Sequence, residues 1–185
     1  MKNIFQLFAL LMPAFFYAQP FEINENPEQY MQHIVSSWQV DPQKIVYITN
    51  ETDLEDLATV MHNSVLAFVQ KEQSTSAEIL DGKREKDPDA CGLALNNLEL
   101  QNVYQHLKNG NDYTSISFKK LKDNELYFFS DKLTAVLIYS KRIDAFIADY
   151  FKVLKDFEHK NVDYVIVVFD NEITSQIPGA ISNEQ

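Results

Sequence analysis

Leu133-Thr-Ala-Val-Leu-Ile-Tyr139 and Tyr164-Val-Ile-Val-Val-Phe169, the second followed by Asp170, are the two runs that decide the fold. Neither alternates apolar with polar residues, so both read as strands covered on two faces. Between them Ile143, Phe146, Ile147, Tyr150, Leu154 and Phe157 recur at helical spacing. Strand, helix, strand over this length predicts a right-handed βαβ unit with parallel strands.

Working outward, Ser115 to Leu121 alternates, with Ile116 and Phe118 against Ser117 and Lys119. Leu126 to Phe129 is a further strand, and Lys122-Asp123-Asn124 and Ser130-Asp131-Lys132 are turns. These strands predict an antiparallel meander leading into Leu133. Earlier, Asn26, Pro27 and Gln29 read as N-cap, first helical position and capping-box partner, with Tyr30, Met31, Ile34, Val35 and Trp38 as the apolar stripe. Asp41-Pro42 ends that helix, and Lys44 to Thr49 is a β-branched strand. Thr52-Asp53-Leu54-Glu55 reads as a second capping box, and Leu54, Leu57, Ala58, Met61, Val65 and Phe68 predict a helix to about Gln70. Glu72 to Pro88 is a charged loop, with a short strand expected at Glu78–Leu80 and Asp89 capping a turn that holds Cys91. Leu100, Val103, Tyr104 and Leu107 predict a helix ending at Asn109-Gly110, and the tail from Thr174 to Gln185 is expected to fray. The fold class expected is α/β of the mixed α+β kind: one domain over residues 19–185, with helices packed on a mixed sheet.

In order of elements, Ile116 to Asp170 resembles secreted thioredoxin-like proteins, in which a hairpin leads to an apolar strand, an active-site loop, a long helix and a second parallel strand. The resemblance implies a redox centre in the joint after Tyr139. That joint reads Ser140-Lys141-Arg142-Ile143 and has no cysteine, so what it implies is a redox-silent relative.

The first eighteen residues read as a secretory signal peptide. Lys2 is the positive region, Ile4 to Tyr17 is apolar apart from Gln6 and Pro13, and cleavage is expected after Ala18. The stretch is short for a membrane span. Its removal takes away Lys2 and lowers the net charge from −11 to −12. So acidic a chain is a poor match for nucleic acid or an anionic membrane and a better one for a basic protein. An exported domain with a single cysteine, Cys91, has no internal disulfide and must hold by core packing, for which 45% hydrophobic residues suffice.

The chemistry-bearing motifs are mostly missing. Four glycines exclude a dinucleotide fingerprint or a P-loop, there is no GxSxG elbow, and the four histidines fall in predicted helices without metal spacing. No metal and no cofactor is expected. Cys91 has no histidine tied to it by spacing and reads as an inert thiol. Asn109-Gly110-Asn111-Asp112 lacks the spaced carboxylates of a calcium loop and reads as a turn. Two candidates remain. Asp170 lies past the carboxyl end of a parallel strand, where α/β sheets place ligands, and Ser140 is expected to face the same crevice. Glu51, Asp53 and Asp56 form an acidic helix start suited to a basic partner. The function expected is that of an exported, acidic, non-catalytic binding protein of the inhibitor or immunity type. The alternative is an exported enzyme, or a redox-silent thioredoxin-like protein, with a crevice near Ser140 and Asp170.

Overall fold

Asn26 opens the first helix as the sequence predicts. Its Oδ1 accepts from Gln29 N–H at 2.9 Å, while Gln29 Oε1 accepts from Asn26 N–H at 3.1 Å, closing a capping box on α1 (Pro27–Trp38). The computed structural model describes residues 22–61, 64–71, 73–76, 98–109 and 116–180. The signal-peptide stretch, the strand expected at Glu78–Leu80, Cys91 and the turn at Gly110 lie outside them. Asp41 caps a short 3₁₀ turn, Pro42–Lys44, that feeds β1 (Ile45–Ile48). Next come α2 (Glu51–Met61), β2 (Leu66–Gln70), β3 (Gln73–Ser76), α3 (Leu100–His106) and β4 (Lys108–Asn109). The chain ends in β5 (Phe118–Lys120), β6 (Leu126–Tyr127), β7 (Thr134–Tyr139), α4 (Ala148–Glu158), β8 (Asp163–Val168) and α5 (Asn171–Thr174).

The described strands make one eight-stranded mixed sheet in the order β4-β3-β2-β7-β8-β1-β5-β6. β7 and β8 run parallel from Thr134↔Asp163 to Tyr139↔Val168, and β1 lies parallel on the other side of β8. The remaining pairs are antiparallel. The βαβ unit is therefore the middle of a single mixed α/β domain. Strand alternation divides the core between two faces. On one, Tyr30 and Ile34 of α1, Val103 of α3, Phe151, Leu154 and Phe157 of α4 and Ile173 of α5 cover Tyr47, Phe68, Leu137, Tyr139, Ile166 and Val168. On the other, Leu57, Val60 and Met61 of α2 cover Val46, Ala67, Val69, Val136, Val165 and Val167, with Phe118 and Tyr127 beside them. Among the described residues no helix is long and apolar enough to cross a membrane.

Five expectations change. The second helix stops at Met61 rather than near Gln70, and Leu66-Ala-Phe-Val is a buried strand between β3 and β7. A short apolar run fits both periodicities, and pairing on both sides decides for the strand. The meander is only a hairpin: β6 pairs with β5, but both edges of β7 are already taken by β2 and β8. The crossover opens with a 3₁₀ stretch, Lys141–Phe146, so Phe146 is 80% exposed rather than part of the buried stripe. The third helix ends at His106, and Lys108–Asn109 pairs with β3, while Tyr104 is exposed. The tail is also packed as far as it is described, since Ile177 is buried and Ala180 packs against the core.

Candidate functional site

β7 and β8 end side by side, and this brings Ser140 and Asp170 together just past their carboxyl ends. The arrangement is tighter than a shared crevice. Asp170 is 1% exposed, and its carboxylate accepts four hydrogen bonds. Ser140 Oγ donates to Oδ1 at 2.6 Å, Arg142 Nη1 to Oδ1 at 2.7 Å, Lys141 N–H to Oδ2 at 2.8 Å, and the Tyr30 hydroxyl also to Oδ2. Two ion pairs extend the cluster, Arg142 with Glu172 and Lys141 with Glu25. Gln176 Nε2 donates to the Glu25 carbonyl at 3.0 Å and so ties in the C-terminal turn.

The electrostatics follow from burial and pairing. Loss of water raises the Tyr30 hydroxyl well above its ordinary pKa, and the hydrogen bond to Asp170 raises it further, so Tyr30 is a neutral donor. The hydrogen bond between Arg142 and Glu172 raises the guanidinium and lowers the carboxylate. Next to this cluster, Asp144 accepts from Tyr139 OH at 2.8 Å and Trp38 Nε1 at 3.3 Å, with His33 Nε2 at 3.6 Å. All these contacts bind α1, the joint after β7 and α5 to one end of the sheet.

Chemically, such a cluster locks and does not react. A general base needs a lone pair free to reach a substrate, and the oxygens of Asp170 are taken by the chain's own donors. Ser140 Oγ faces a carboxylate and accepts from Arg142 N–H at 3.2 Å, and among the described residues no histidine lies against it to activate it. At the neighbouring strand ends, β1 leads to α2 on one face and β8 to α5 on the other, which is a topological switch point. The pocket there, lined by Ile48, Leu54, Phe169 and Thr174 among others, holds about 40 Å³. Substrate clefts run to roughly 300–1,000 Å³, so it has room only for water. A larger groove of about 650 Å³ lies between the start of α1, the turn after β5 and Gln176–Pro178. Several of its amides are already engaged: Asn26 caps α1, Asn124 Oδ1 accepts from Tyr47 OH at 3.1 Å, and Gln176 holds Glu25.

The acidic helix start is organised differently from the sequence reading. Asn50, not Thr52, caps α2. Its Oδ1 accepts from Asp53 N–H at 2.8 Å, and its Nδ2 donates to the Asp53 carboxylate. Asp53 is consequently buried, Glu51 is exposed and Asp56 is half-buried. No hydrogen bond or ion pair among the described residues links these three to Asp170. Tyr30, Glu25, Lys141 and Arg142 were not candidates in the sequence, and Tyr30 is 140 positions from its partner, beyond any local pattern. Among the described residues no group of three or more His, Cys, Asp and Glu is placed to hold a metal ion. Comparison with protein-family models, with curated proteins and with solved structures yields no match to this chain.

Proposed function

We propose that this chain is an exported, acidic, non-catalytic protein that binds another protein. The observation that carries the reading is the saturation of Asp170. The carboxylate standing where α/β sheets usually hold ligands is closed by four donors of its own chain. The alternative, a crevice near Ser140 and Asp170 that performs catalysis, loses its reactive group to the same contacts. The signal-like start, with mature net charge −12, supports export and a partner that is basic overall. With Asp53 buried and Glu55 freed from any capping role by Asn50, Glu51, Glu55 and Asp56 are the acids of α2 left to steer such a partner.

Purification of the untagged chain from the extracytoplasmic fraction under mild conditions tests this. A mature N-terminus near Gln19 and a defined protein recovered in fixed ratio are the expected results. Recovery from the cytoplasm with Met1 intact, or as a lone chain that turns over a small substrate and loses that activity in Asp170→Asn, overturns the proposal.

A further inference from the structure

Leu126-Tyr-Phe-Phe129 is apolar at every position, the pattern of a strand covered on both faces. The structure covers only one. Tyr127 is buried, and its ring meets Phe129 at 5.8 Å, while Phe129 meets Phe118 at 5.5 Å, all on the α2 face. Leu126 and Phe128, on the other side of the same segment, are 48% and 74% exposed. Among the described strands β6 is also an edge strand, paired with β5 alone. At two residues β6 is too short to template a long strand, so what the segment offers to a partner is the side chains of Leu126 and of Phe128 just beyond it.

The charges around the pair are specific. Lys119 is the register partner of Leu126, so their side chains leave the hairpin on one side about 5 Å apart. Glu125 pairs with Lys120, Asp131 lies 3.8 Å from Lys71, and Asp123 accepts from Glu125 N–H. Lys119 and Lys122 have no carboxylate partner among the described residues. Lys122 stands in the turn after β5, where the hairpin walls the 650 Å³ groove. At physiological salt, charges are screened beyond about 8 Å, so these two lysines rather than the net charge select what touches the hairpin.

We infer that the outward side of the β5–β6 hairpin is the docking surface for an extended segment of the protein partner. That segment carries an apolar side chain flanked by acidic ones, lies along Leu126 and Phe128, and meets Lys119 and Lys122. The inference rests on the binding function proposed above and names the chemistry of the contact. A second copy of this chain is a poorer occupant, because a symmetric pair of hairpins sets Lys119 and Lys122 of one copy against the same lysines of the other.

Site-specific photocrosslinking of the full chain in its native host tests it, with p-benzoylphenylalanine at position 128 and, as an exposed control on α3, at position 104. The expected result is one protein adduct from 128 and none from 104, mapping to a partner peptide that contains Asp or Glu. With that partner purified, Phe128→Ser and the pair Lys119→Glu, Lys122→Glu should each weaken binding about tenfold or more, and Asp123→Asn should not weaken it. An adduct from 104 alone overturns this surface and leaves the binding function standing. So does an adduct from 128 to the same chain, to a second copy, to lipid or to a peptide without acids, or a partner indifferent to the lysine changes. No protein adduct from either position, together with a lone chain in the mild purification, overturns both.

Discussion

Replacing Asp170 by Asn keeps the shape of the side chain and removes its charge, which isolates what the carboxylate does. The amide has one oxygen for four donors, and whichever way it turns, its NH₂ faces one hydroxyl, which can accept, and one donor that cannot, Arg142 or the Lys141 N–H. Arg142 is half-exposed and retains Glu172, so it recovers much of its solvation. The buried Tyr30 hydroxyl cannot, and it exchanges a bond to a charged acceptor, which contributes about 1.5–3 kcal/mol, for one to a neutral amide. Adding the weakened bonds from Ser140 and Lys141 gives about 3–4 kcal/mol, within the range for breaking a buried charged pair. A domain of this size has about 5–15 kcal/mol in total, so Asp170→Asn should fold but with a clearly lowered urea midpoint. Tyr30→Phe and Ser140→Ala remove one donor each and leave the carboxylate the other three, for about 1 kcal/mol apiece. The double change Tyr30→Phe with Asp170→Asn should fall short of the sum by about 1 kcal/mol, since both remove the same bond. Trp38, the only tryptophan, stacks on Phe151 at 4.5 Å and reports unfolding through its fluorescence. A loss below about 1 kcal/mol for Asp170→Asn, at unchanged m-value, would refute the locking role and return Asp170 to the list of reactive groups.

Three further results are expected. Burial, first among the causes, holds the hydroxyls of Tyr30, Tyr127, Tyr139 and Tyr164 above their ordinary pKa of about 10. Stability from these groups is complete below that pH and is lost as pH rises beyond it, because the unfolded chain then releases protons that the folded chain keeps. Their tyrosinate absorbance should appear together with loss of circular dichroism, and titration with the fold intact would contradict this. Glu172 is held below its ordinary pKa by the Arg142 hydrogen bond, so its contribution is present above about pH 4.3 and lost as pH falls through the lowered value. Glu172→Gln should flatten the acid limb of the stability–pH curve slightly, because both partners are partly exposed, and an unchanged limb would show the pair to be idle. Asn50→Ala should cost about 1–2 kcal/mol in thermal or urea unfolding, while Thr52→Ala stays within about 0.5 kcal/mol, and the reverse order would move the α2 cap back to Thr52.

The parts of the fold that were legible in the sequence are those fixed by neighbours in the chain. The α1 capping box lies within four residues, and the βαβ unit shows as two continuous apolar runs around a helical stripe. What failed depends on pairing between distant segments. Leu66 to Val69 satisfies the helical stripe as well as a strand, and only β7 and β3 on either side settle it. The meander failed for the same reason, since nothing in Leu126–Leu133 reveals that β2 occupies the edge of β7. The candidate site divides along this line. Strand-end position marked Asp170 and Ser140, but Tyr30 and Glu25 reach the cluster from α1 and the segment before it, through tertiary packing that the sequence pattern does not encode.

That division bears on where binding can occur. A sheet end at a topological switch point is open in most α/β proteins because the connections leave in opposite directions and a ligand fills the gap. Here the gap next to Asp170 is filled from within: α1 brings Tyr30, and the joint after β7 brings Lys141 and Arg142. Opening it would leave the carboxylate buried without its donors, at a cost that a small ligand would have to repay before it gained any affinity. The hairpin presents the opposite balance. Leu126 and Phe128 are already in contact with water, so covering them is favourable by about 25 cal/mol for each Å² removed from solvent and requires no internal bond to break. Between a closed polar lock and a bare apolar edge beside two lysines without carboxylate partners among the described residues, the proposed recognition falls on the edge.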